Sequence, residues 1–86
     1  MAYKIELTRQ ARKDLAVLPH HIQQWAISTI DSFATEPRPR GCKQLKGGDG
    51  YSIRHGDYRI VYDIQDAVLL VIVIRATHRK DVYRQS

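Results

Sequence analysis

Apolar and polar residues alternate from Tyr3 to Leu7, the period of a half-buried strand. Thr8 follows and can cap a helix. Ala11, Leu15 and Leu18 then recur at helical spacing, while Arg9, Arg12, Lys13 and Asp14 are expected to face elsewhere. Pro19 ends that helix and suits the first turn of the next. From about His21 to Ala34, Ile22, Trp25, Ala26, Thr29, Ile30 and Phe33 fall at steps of three and four and form one apolar stripe. Trp25 lies within the stripe, which makes it a core anchor. The segment from Glu36 to Gly41 carries two prolines, each restricting the residue before it to extended backbone. A short strand over Cys42 to Leu45 and a turn over Gly47 to Gly50 come next. That glycine turn lacks both the spacing and the following helix of a phosphate-binding P-loop.

The stretch from Tyr51 to Tyr62 predicts a hairpin with Gly56-Asp57 as its two-residue loop. His55 then faces Tyr58, Arg54 faces Arg59, Ile53 faces Ile60, Ser52 faces Val61 and Tyr51 faces Tyr62. Alternation puts Tyr51, Ile53, His55, Tyr58, Ile60 and Tyr62 on a core face, and Ser52, Arg54, Arg59 and Val61 on the other. A turn at Gln65-Asp66 leads into an aliphatic run from Val68 to Arg75, expected to be a central strand covered on both faces. A loop of three or of four residues there decides whether Arg75 shares a face with Arg59. The order β-α-α-β-β-β-β predicts an α+β domain over residues 1–86. It should be an antiparallel sheet with a two-helix hairpin on one face and the opposite face partly open.

The chain has 86 residues, a length for one domain, and 14 Lys and Arg against 9 Asp and Glu give a formal net charge of +5. For so small a domain this favours a polyanionic partner. Cys42 is the single cysteine and cannot form an internal disulfide, which fits a reducing cytoplasm. The first residues lack the apolar stretch of a signal peptide, and no run is long enough to span a bilayer as a helix; a cytoplasmic protein with no membrane association is expected. The histidines His20, His21, His55 and His78 do not fall at zinc-ligand spacing, and neither a metal nor another cofactor is expected.

The pairing of Arg54 with Arg59 carries the chemical information. Like charges directly opposite on a sheet repel, by up to about 1 kcal/mol. Two solvated arginines that splay apart would satisfy the pattern. Two guanidinium groups gathered for an anion with several oxygens, such as phosphate, would satisfy it too. Metal-free RNA cleavage needs such cations: a ribose 2′-hydroxyl attacks the adjacent phosphate, the leaving oxygen takes a proton, and the transition-state charge must be held. His78, with an ordinary pKa near 6.5, suits proton transfer, and Tyr83 can stack on a base or orient a hydroxyl.

The run Gly56-Asp-Tyr-Arg-Ile-Val-Tyr62, a hydrophobic strand and then His78-Arg-Lys-Asp-Val-Tyr83 together resemble the RelE/ParE toxin superfamily. The leading strand, the helical hairpin and Gln44-Leu-Lys-Gly47 extend the resemblance over nearly the whole chain. The C-terminal pattern points to the RelE branch. The resemblance implies a toxin of a type II toxin–antitoxin pair that enters the ribosomal A site, cuts the mRNA without metal and leaves a 2′,3′-cyclic phosphate. It also implies an acidic antitoxin that covers the toxin, and operator DNA bound through that antitoxin. By resemblance Arg59 stabilises the phosphate, Arg79 lies near the leaving group and Tyr83 stacks on or orients the substrate. Arg54 and Ser52 stand where the RelE type has lysines. Arginine is a poor base, its pKa exceeding 12. Proton transfer is therefore assigned to His78 before His55, with Arg54 kept in the catalytic set as a cation. Lys43, Lys46, Ser52, Arg75 and Lys80 are expected to hold RNA. The alternatives are a ParE-like inhibitor of DNA gyrase without chemistry of its own, and a degenerate toxin that only binds antitoxin or nucleic acid.

Overall fold

The computed structural model describes residues 2–47 and 50–78. The elements are β1 (Lys4–Leu7), α1 (Arg9–Ala16), α2 (His20–Ser32), β2 (Lys43–Gln44), β3 (Tyr51–His55), β4 (Tyr58–Gln65), a 3-10 turn (Asp66–Val68) and β5 (Leu70–His78). Thr8 is extended and caps α1, its Oγ1 accepting from the Ala11 amide at 3.0 Å. Pro19 stands just before α2 as its N-cap, and the Gln23 amide donates to its carbonyl at 2.8 Å. The loop between β3 and β4 turns on Gly56, whose φ of 62° is the left-handed conformation that such a two-residue loop requires at its first position.

The sheet order is β1-β5-β4-β3-β2. All five hairpin pairs expected from Tyr51↔Tyr62 to His55↔Tyr58 are present. The sheet is mixed, however, because β1 lies parallel to β5 while the other neighbours are antiparallel. The chain leaves β1 through two helices, returns at the far edge as β2 and works back by hairpins. Its last strand therefore arrives beside β1 running the same way, which is the long crossover a parallel pair needs.

The core lies between the helices and one sheet face. Phe33 and Tyr62 are fully buried and stack at 4.1 Å between ring centroids. The Tyr62 hydroxyl donates to the Pro37 carbonyl at 2.8 Å, and burial pushes the phenol well above its usual range, with Cys42 adding to the rise. Trp25 is partly buried as an anchor and stacks on His55 at 4.9 Å, which keeps His55 on the core face.

Two expectations about packing are corrected. β5 is an interior strand, but it is not covered on both faces: Val71 and Val73 are buried, Leu70 and Ile72 only half so, and Ile74 is exposed. One sheet face is thus open. Asp14 does not face solvent with its charged neighbours. It is 7 % exposed and its carboxylate meets Arg75, Nε to Oδ2 at 2.7 Å.

Candidate nucleic-acid interface

Register builds the site. Lys43 pairs with Ser52, Ser52 with Val61 and Val61 with Arg75, giving one row across the sheet. Arg54 pairs with Arg59 and Arg59 with Thr77, giving the next. On the open face, Gly41, Lys43, Ser52, Arg54 and Arg59 line a concavity of about 230 Å³. Among the described residues, three of the five that line it are cations and none is a carboxylate. Ser52 is buried at its floor with a hydroxyl to donate or accept, Arg59 is half-buried and Arg54 exposed. The backbone of Gly41, with φ of 95°, turns the proline-rich linker onto the rim.

The concavity gathers Lys43, Ser52, Arg54 and Arg59 from the ten residues expected to act. The others are placed differently. Lys46 is exposed in the turn after β2 and does not line the recess. His78 pairs with Tyr58, one position from the Arg59 row, and its ring meets the Tyr58 ring edge-on at 5.2 Å between centroids. Alternation therefore puts it on the strand face opposite Arg59. Arg79, Lys80 and Tyr83 lie outside the described residues.

Arg75 requires a correction. The connection between β4 and β5 spans residues 66–69, so Gln65 pairs with Leu70. Carried on unbroken, that register would set Arg75 across from Ile60 in the core. A one-residue shift between Val61 and Tyr62 sets it across from Val61 instead, in the row of Lys43 and Ser52. Its guanidinium is nevertheless drawn to Asp14 of α1, at 2.7 and 3.3 Å, and it does not line the concavity. The missed neighbour of Arg59 is Thr77, buried, with its hydroxyl donating to the His78 carbonyl at 2.8 Å. Only the shifted register reveals it.

A fourth arginine sits in a different setting. Arg38 holds Asp66 with two bonds of 3.1 and 2.8 Å, while its Nε donates to the Tyr51 hydroxyl at 3.3 Å. Tyr3 donates to the same carboxylate at 2.6 Å. Hydrogen bonds from Arg38 and then Tyr3 hold Asp66 down at about 2. The bond to Asp66 holds the Tyr3 phenol above its usual range and the Arg38 guanidinium likewise. This cluster ties the leading strand, the linker and the β4–β5 turn together. A second recess, of about 490 Å³, lies by α2 and β1 and is lined chiefly by Ile5, Leu7, Leu15, Ile27 and Ile30. Among the described residues no cation lines it.

A cationic recess on the open face of a five-stranded mixed sheet, backed by a helical hairpin, is the arrangement to compare with known proteins. The family model for the ParE toxin of type II toxin–antitoxin systems matches residues 5–83. The chain belongs to this toxin family. It is similar to the toxin RelG of Mycobacterium tuberculosis, 34 % identical over 99 % of this chain and all of the relative. It is also similar to the RelBE2 toxin–antitoxin complex of Mycobacterium tuberculosis, with a TM-score of 0.78 and 32 % identity over 92 % of this chain and all of that one. The RelE–RelB complex of the archaeon Pyrococcus horikoshii gives a TM-score of 0.80 at 28 % identity, over 92 % of this chain and 97 % of that one. The relatives carry RelE-type names although the matching model is described by ParE, so the chain is a RelE-like toxin of the shared family.

Proposed function

We propose that this toxin is a ribosome-dependent endoribonuclease that cuts mRNA in the A site. The observation that carries the reading is the convergence of Lys43, Arg54 and Arg59, with Ser52, on one concavity that no acid lines among the described residues. A phosphodiester seated there would meet guanidinium groups from two neighbouring strands. The ribose 2′-hydroxyl gives up its proton as its oxygen attacks phosphorus, the bond to the 5′-oxygen breaks, and that oxygen takes up a proton as it leaves, so no net proton is gained or lost. The products are a 2′,3′-cyclic phosphate and a 5′-hydroxyl. Arg59 and Arg54 stabilise the added negative charge as it develops, Lys43 holds a neighbouring phosphate, and Ser52 donates to a phosphate oxygen. His78 rests on Tyr58 and not in the recess. The described residues thus supply binding, alignment and charge stabilisation. By resemblance Arg79 lies near the leaving group and Tyr83 stacks on or orients the substrate; proton transfer stays with His78, and Lys80 adds to the RNA contacts.

The partner proposed is an acidic antitoxin, which the relatives solved as RelB–RelE complexes support. Opposite charge would speed its association, and that rate should fall as salt rises. Operator DNA would be reached only through the antitoxin. Incubating purified toxin with programmed ribosomes and mapping the message by primer extension tests the activity: cuts confined to the A site are expected. Uncut message at every dose would overturn it. The description of the matching family model favours one other reading, a ParE-like inhibitor of gyrase. Loss of supercoiling by purified gyrase, together with toxicity unchanged in Arg59→Ala, would establish that reading instead.

A further inference from the structure

We propose that Asp14 is a positioning residue for the cationic concavity. By accepting the Ala76 amide, it fixes the register of β5 beyond its bulge and so the place of Arg59 across from Thr77. The consequence for RNA cleavage rests on the function proposed above.

The strand needs such a device. β1 ends with Leu7 beside Val73, so β5 loses its parallel neighbour there. Thr8 closes the next two groups, its amide donating to the Val73 carbonyl at 3.0 Å and its hydroxyl to the Ile74 carbonyl at 2.8 Å. Asp14 then takes over the ladder. Its Oδ2 accepts the Ala76 amide at 3.1 Å, as a backbone carbonyl of a longer β1 would. The same oxygen accepts Arg75 Nε, and Oδ1 accepts Arg75 and Gln10 at 3.3 and 3.1 Å. The carboxylate therefore grips two consecutive residues just past the register shift.

The alternative register is one residue away. Without the shift Arg75 would pair with Ile60, and Ala76 would replace Thr77 across from Arg59. A slip of one residue exchanges the two faces of every residue it moves. Asp14 penalises that slip twice, because it would lose both its ion pair and its backbone donor. An acid on the helical side thus determines which β5 residue stands beside the phosphate-binding arginine.

Two variants separate positioning from plain stability. Asp14→Leu combined with Arg75→Met removes both charges, so no buried ion is stranded, and it leaves the Ala76 amide without its acceptor. Asp14→Asn keeps an acceptor for that amide but takes the negative charge away from Arg75. Single-turnover mRNA cleavage on programmed ribosomes, expressed per folded molecule, should fall about tenfold to a hundredfold in the double variant, as expected for displacement of order 1 Å. RNA affinity should stay within about twofold, since Lys43, Arg54 and Arg59 of the recess remain and the loss of Arg75 is matched by that of Asp14. Asp14→Asn should be the less stable of the two in urea and yet cut closer to the wild-type rate. Wild-type turnover in the double variant, or an equal loss in Asp14→Asn, overturns the proposal. If the wild-type toxin cuts no message, the functional reading fails by itself. Amide NMR shifts then decide the positioning: displacement at Arg59 and Thr77 in the double variant supports it, and unchanged shifts overturn it.

Discussion

Arg38 and Arg75 are bound by carboxylates inside the domain, whereas Arg54 and Arg59 stand opposite each other in a recess that, among the described residues, is lined by Gly41, Lys43 and Ser52 besides. The contrast separates two uses of one side chain. Arg38 binds Asp66 through two bonds and spans three segments, and Arg75 is bound by a buried acid beside the β5 edge. Both act within the domain. The facing arginines repel each other across the hairpin, a cost that an incoming anion offsets.

The widest separation between these classes should appear on the Asp14 side. Asp14→Ala removes the carboxylate that Arg75 binds in a site where the arginine side chain is 18 % exposed. Removing one partner of a buried pair costs roughly 3–5 kcal/mol, so urea unfolding should show a loss of that size. A loss below about 1 kcal/mol would place the pair with ordinary surface bridges. Arg59→Ala should do the reverse. Cleavage should fall about a hundredfold to a thousandfold, the usual cost of removing one transition-state donor. Its urea midpoint should move less than that of Asp14→Ala, because relief of repulsion with Arg54 offsets part of what the side chain's contacts contribute. A folded Arg59→Ala that cuts normally would erase the distinction between the two kinds of arginine.

The Arg38 cluster should give the smallest effect, visible only in acid. Asp66 is held at about 2 by Arg38 and Tyr3, below its ordinary value of 3.8. Its contribution to stability is therefore present above about 4 and is lost as pH falls through about 2. Melting temperatures of the wild type should drop over that window more than those of Asp66→Asn. Parallel pH profiles would show that the cluster contributes nothing to folding.

Alternation and turn chemistry were enough to read the hairpin, because Gly56-Asp57 fixes a loop of two and every pair then follows. Thr8, the α2 stripe and the element order were legible for the same local reasons. The parallel pairing of β1 with β5 was not, since alternation records which face is buried and says nothing of a distant neighbour's direction. The shift between Val61 and Tyr62 was likewise hidden, as nothing in an aliphatic run marks an extra residue. That one shift governs the places of Arg75, Thr77 and His78. Asp14 looked like part of a charged helix surface because its acceptor role depends on where β1 stops. Four of the residues that line the recess, Lys43, Ser52, Arg54 and Arg59, were found because their rows depend on the hairpin and its short edge strand, upstream of the shift.

The most direct test is the salt dependence of binding to a single-stranded RNA fragment, compared between wild type and a Lys43→Gln, Arg54→Gln, Arg59→Gln triple variant. Each phosphate contact on a single strand contributes about 0.7 to the slope of log affinity against log salt, so the triple variant should lose roughly 2. An unchanged slope would mean that RNA phosphates do not occupy the recess.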